Sequence, residues 1–117
     1  MGHTFHATGS GYFPDKSAME GGFTDIRGKK LNTLQDFLQG RADFVSVAMD
    51  ENLGIRYGTK IKIPELDKQF GKKIEFRVVD TGSALKGKGH RRIDICVENE
   101  KASLDPAING HLTLEFP

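Results

Sequence analysis

The chain has 117 residues, 37% of them hydrophobic, with 14 glycines and a formal net charge of +1. That length supports one core and not two, and the near-zero charge excludes a global field that would draw the protein onto nucleic acid or an anionic membrane. A single cysteine, Cys96, excludes an internal disulfide, and the lack of tryptophan, with only two tyrosines, argues against a module that stacks sugars on aromatic rings.

In chain order, His3 to Thr8 reads as a first strand. Gly9 to Lys30 follows as a long irregular segment holding Gly9, Gly11, Pro14, Gly21, Gly22 and Gly28, and connections of that length in small domains often carry function. Asn32 to Gly40 is the clearest helix. Asn32 serves as its cap, Gln35 sits three residues on, Leu34, Phe37 and Leu38 form one apolar face, and Gly40 supplies a left-handed stop. From there the period switches to two. Phe44–Asp50, Thr59–Pro64, Ile74–Asp80, Arg92–Val97 and His111–Phe116 read as strands. Leu66 to Gly71 is a turn or a single helical turn. Asp105-Pro106 opens another, which Asn109-Gly110 ends. Five or six short strands, one or two short helices and long connections predict a mainly β fold, a small barrel in one domain.

Three aspartates, Asp50, Asp80 and Asp94, lie within or at the ends of these strand-like runs. Between the last two runs a loop rich in glycine and basic residues, with Lys86, Lys88, His90, Arg91 and Arg92. Such a loop contacts anions or is simply solvated. Strand alternation sends Ile93, Ile95 and Val97 to the core and Arg92, Asp94, Cys96 and Glu98 to the other face, so Asp94 is expected to face a groove. Two neighbouring carboxylates resist double ionisation, which would let one hold a proton for acid catalysis. The plainer alternative is that both aspartates cap strand ends by accepting backbone N–H bonds. Cys96 beside His90 is a conceivable thiol nucleophile, although free cysteine is usually a small buried hydrophobe. Glu20 and Asp25 are the acids of the glycine-rich segment that can reach the groove, and Asp25 is the better second carboxylate for a hydrolase. Tyr12 and Phe13 form either a sugar-contacting wall or plugs of an open barrel. His3, His6, His90 and His111 show no ligand spacing, so no metal is predicted. No phosphate loop or dinucleotide fingerprint appears, so no cofactor is predicted either.

The run Asp50, Tyr57-Gly58-Thr59, Asp80-Thr81-Gly82 with Ala84 and Lys86-Gly87, then Arg92-Ile93-Asp94, resembles the 3D domain, named for its three aspartates. The resemblance is good from about residue 44 to residue 97 and loose before that. It implies a six-stranded double-psi β-barrel, the fold of the membrane-bound lytic transglycosylase A family, of expansin-like and rare lipoprotein A-like proteins and of family 45 endoglucanases. It further implies Asp94 as the catalytic acid, Asp80 as its support and Asp50 in a more structural place. Three departures stand out: the loop from Gly87 to Arg92 is longer by about three residues, Ser83 stands where a second glycine is common, and the large second domain of the transglycosylase A family is absent from this sequence.

The reading that follows is a peptidoglycan-cleaving lytic transglycosylase-type glycan lyase. Asp94 and Asp80 are its catalytic residues, and Asp50, Thr81, Lys86, Arg92, Tyr12 and Asp25 are candidates for contacting substrate. The alternative is a non-catalytic barrel that binds cell wall or inhibits a protease. Expected partners are peptidoglycan or another polysaccharide and a secretion or immunity protein, with no nucleic acid and no membrane, and the expected state is a monomer. No apolar run reaches transmembrane length and none resembles a leader. A secreted or periplasmic location is expected, reached after leader removal or by a leaderless route.

Overall fold

A computed structural model describes residues 2–14 and 24–117. Glu20 and much of the glycine-rich segment therefore lie outside the described residues. The strands are β1 (His3–Tyr12), β2 (Val45–Ala48), β3 (Thr59–Ile61), β4 (Phe76–Asp80), β5 (Arg92–Cys96) and β6 (His111–Phe116). Three short helices accompany them: α1 (Leu34–Leu38), α2 (Pro64–Phe70) and α3 (Glu100–Ser103). The six strands form one sheet in the order β3-β4-β2-β5-β1-β6. Its two edges meet at Lys62 and Glu115, which exchange backbone bonds of 3.0 and 2.9 Å. The result is a mainly β, nearly closed six-stranded barrel, as the alternating sequence predicts.

Two pairs of strands run parallel, β1 with β5 and β2 with β4, while β2 and β5 run antiparallel. The two parallel pairs overlap only where Val47 and Ala48 meet Ile95 and Asp94. Ile93, Ile95 and Val97 point inward as alternation predicts. Val45, Val47, Phe76, Ile93, Ile95 and Leu114 are fully buried, and side chains on this scale contribute roughly 1.5–3 kcal/mol each. Gly9 and Gly11 belong to the same inward face of β1. A Cβ on Gly9 would lie 2.3 Å from the Ile108 carbonyl oxygen, and one on Gly11 2.8 Å from Ser103 Cα. Their glycines let the 103–112 segment press directly on the strand.

Several boundaries differ from the sequence reading. β1 continues through Tyr12 instead of ending at Thr8, because parallel pairing with β5 extends it. Helix α1 is capped by Thr33, not Asn32; Thr33 Oγ1 accepts from Asp36 N–H, and Asp36 accepts from Thr33 N–H. The stretch read as a turn or a single helical turn from Leu66 is the seven-residue helix α2, which begins earlier, with Pro64 in its first turn and Gly71 as a left-handed cap at φ 68°. Near the C-terminus the helix lies earlier than Asp105. It is capped by Asn99, and Asp105 instead holds a turn by accepting Ala107 N–H at 2.9 Å.

Candidate functional site

The register places four residues in one lateral row. Ser10 of β1 pairs with Asp94 of β5, Asp94 with Ala48 of β2, and Ala48 with Asp80 of β4. In-register neighbours point to the same side of a sheet, so Asp94 and Asp80 flank Ala48. Two strand spacings separate their Cα atoms by roughly 10 Å along the sheet. The row depends on a bulge. Val47 pairs with Val78 but Ala48 pairs with Asp80, so Val79 is an extra residue in β4. In a regular, unbulged strand Asp80 would share the phase of Phe76 and Val78 and point into the core. A bulge that re-aims a side chain is a recurrent device beside functional sites.

Asp94 is partly buried, and among the described residues its carboxyl accepts no hydrogen bond. Burial pushes it above the usual carboxylate range, while the Arg92 guanidinium pulls the other way. Asp80 is also raised, first by burial. The Thr81 N–H at 3.0 Å and the Tyr12 hydroxyl at 3.3 Å favour its charged form, and the Asp25 charge opposes it. Neither of the pair acts appreciably on the other's ionisation. The mutual repulsion expected from the sequence gives way to burial as the cause at both.

The other candidate residues surround this row in different ways. Tyr12 is pushed well above its ordinary range by burial and by the neighbouring Cys96, Asp80 and Asp94. Arg92 donates from Nη2 to Ser10 Oγ at 2.7 Å, and its Nε is buried with no partner among the described residues. Asp25 is 7% exposed and fully engaged: Oδ1 accepts Arg27 and Lys29 N–H at 2.9 and 3.0 Å, and Oδ2 accepts the Tyr57 hydroxyl. Tyr57, which the sequence reading placed only within a motif, is thereby pushed up to about 12 by burial and by Asp25. Lys86 is exposed and lies 3.7 Å from Glu51.

Asp50 has a different task. Its Oδ1 accepts Asn52 N–H at 3.0 Å and its Oδ2 accepts Gly89 N–H at 2.9 Å. These and further backbone donors at Gly87 and Lys88 hold its carboxyl below the usual range. It ties the long 87–91 loop to the barrel from one side. From the other side His90 inserts between two rings, stacked on Phe5 at 3.7 Å and edge-on to Phe116 at 5.7 Å. The loop is thus anchored from two sides, immediately before Arg92 and Asp94.

Cys96 falls on the row side of β5 yet is completely buried. Burial and the Asp80 and Asp36 charges push its thiol up to about 12, which leaves it protonated and unreactive at neutral pH. A cavity of about 310 Å³ opens beside the row, lined by residues including Met49, Asp50, Tyr57, Val79, Asp80 and Thr81. Asp94 is not part of its wall. Among the described residues, no group of three or more histidine, cysteine, aspartate or glutamate side chains is placed to hold a metal ion, and no helix is long and apolar enough to cross a membrane.

Sequence reading missed Ser10, Ala48 and the bulge at Val79. Only strand register brings these together, although the adjacent pair Val78-Val79 before Asp80 breaks alternation and hints at the bulge.

The fold and the row define a small nearly closed β-barrel with two burial-shifted carboxyls on one lateral line. No protein-family model matches the chain, and no curated protein matches it.

Proposed function

We propose that this chain is a peptidoglycan-cleaving glycan lyase of the lytic transglycosylase type, a barrel of the three-aspartate kind. The observation that supports it is Asp94: a carboxyl raised by burial, without a hydrogen bond among the described residues and in line with a second carboxylate. A raised carboxyl keeps its proton to higher pH, as a general acid requires. In the proposed reaction Asp94 gives that proton to the glycosidic oxygen as the C1–O bond breaks. The C6 hydroxyl oxygen of the same sugar then bonds to C1, and its proton returns to Asp94. No water is consumed, and the product carries an anhydro end. Asp80, oriented by Tyr12 and Thr81, supplies negative charge beside the developing positive charge on the sugar. Arg92 opposes the rise at Asp94 and offers a cation to the substrate's carboxylates. The proposed setting is outside the cytoplasm, with a monomer acting on wall glycan and a secretion or immunity protein as partner.

One observation favours a second reading. The cavity beside the row takes in Asp80 but not Asp94, which suits a barrel that binds wall polymer or a protease without cleaving anything. Digestion of purified peptidoglycan by wild type and Asp94→Asn separates the two, with products identified by mass spectrometry. Anhydro-muramyl ends from wild type alone support the lyase. Reducing ends indicate a hydrolase. No products from a correctly folded wild type supports the binding barrel and removes Asp94 from any catalytic role.

A further inference from the structure

On the opposite phase of β1 from its buried residues lies a pair of histidines. His6 and His111 are diagonal neighbours across the antiparallel β1–β6 ladder, since His6 pairs with Thr113 and Thr8 with His111. Both are exposed. Their rings face each other with His6 Nδ1 3.1 Å from His111 Nε2. The second nitrogen of His111, Nδ1, lies 3.8 Å from Glu65 Oε2. That carboxylate is itself fixed, because Thr113 donates to it from its N–H at 2.8 Å and from its hydroxyl at 2.7 Å.

At 3.8 Å Glu65 is within ion-pair reach of His111 Nδ1 but beyond hydrogen-bond distance; a turn of the ring that closes this gap gives the arrangement in which a carboxylate on the far nitrogen sets the tautomer and strengthens the near nitrogen as a donor. We propose that His6 Nδ1 and His111 Nε2 form a two-imidazole site for a divalent ion of the zinc class, with Glu65 orienting His111 and water completing the coordination. The geometry can be worked through. Zinc–nitrogen bonds are about 2.0–2.1 Å, so two nitrogens 3.1 Å apart subtend about 98° at the metal. A tetrahedral angle needs a nitrogen separation of only about 3.4 Å. For the lone pairs to converge, each ring turns by roughly 40° from a direct nitrogen–nitrogen bond. The terminal torsion of histidine is broad, and both rings are exposed, so that turn meets little resistance. Imidazole pairs suit zinc, copper and nickel over magnesium or calcium, which prefer oxygen. The ion would join β1 to β6 beside the seam where the barrel closes.

The test is titration of the full chain with zinc chloride at about pH 7.5, above the ordinary imidazole pKa of ~6.5, followed by calorimetry and thermal unfolding. The expected result is one saturable equivalent and a raised Tm, since an ion bound only by the folded state stabilises it. His6→Ala and His111→Ala each weaken binding at least tenfold, because the remaining imidazole has no chelating partner. Glu65→Gln weakens it by about tenfold, and cobalt binds less tightly than zinc. His3→Ala and His90→Ala bind as wild type. Circular dichroism confirms that each variant is folded; the two histidines are exposed, so their loss leaves the core intact. Absence of saturation at millimolar zinc overturns the proposal, as does undiminished binding in both His6→Ala and His111→Ala.

Discussion

Asp94→Asn is expected to make the protein more stable, not less, at neutral pH. The side chain keeps its shape and loses only its charge. Asp94 is partly buried, accepts no hydrogen bond among the described residues, and has a carboxyl raised by burial despite Arg92. A raised carboxylate costs stability wherever it is ionised in the fold. The sign follows from linkage: above its folded pKa the group is charged in both states and the burial penalty is fully present. Below the ordinary value of 3.8 it is neutral in both states and the penalty is gone. Relieving such a site yields about 1 kcal/mol, within the range found when function-related strain is removed. For 117 residues the unfolding entropy is about 0.25 kcal/mol/K, so that gain raises Tm by about 4 °C. The assay is thermal unfolding of both proteins at pH 7 and pH 3, with the gain expected at the first and absent at the second. A variant less stable than wild type at pH 7, by an amount that persists at pH 3, would refute the reasoning. Asp94 would then be a structural acceptor, and the proposal that it holds a catalytic proton would lose its physical basis.

Three further outcomes test the site's construction. Tyr12→Phe removes the 3.3 Å bond to Asp80, so the Asp80 carboxyl titrates at still higher pH, readable by carbon NMR, with a stability loss of about 1 kcal/mol. Asp50→Asn weakens the hold on Gly89 and Asn52, so hydrogen exchange at those amides accelerates. Because the folded pKa of Asp50 is lowered, the stability it contributes is present above its ordinary value of 3.8 and is lost as pH falls through the folded value; the variant lacks this acid-dependent loss. Gly9→Ala forces a methyl against the Ile108 carbonyl at 2.3 Å and Leu112 Cδ1 at 2.5 Å, which costs about 1–3 kcal/mol, or roughly 4–12 °C in Tm.

Much of the scaffold was legible from local chemistry. Alternation in Arg92-Ile93-Asp94-Ile95-Cys96 assigns faces because a strand has a period of two, and Ile93 and Ile95 are indeed fully buried. His111–Phe116 was read to its exact ends for the same reason. Capping was less legible: Asn32 and Thr33 are both good caps, and Thr33 takes the role while Asn32 is bonded through its backbone to Ser46. Cys96 shows where alternation stops informing. It lies on the row side of its strand, beside Tyr12 in the parallel ladder, yet it is fully buried.

What the sequence determined by itself was a chain of short amphipathic strands with carboxylates at their ends, because side-chain direction and turn preference act over a few residues. What only the tertiary structure decided was which carboxylates share a line. Asp80 reaches the row through one extra residue at Val79, Asp94 arrives by antiparallel pairing with Ala48, and Asp25 is drawn instead into a closed set with Tyr57. Register, bulge and burial arise from contacts between residues tens of positions apart, and no local pattern specifies them.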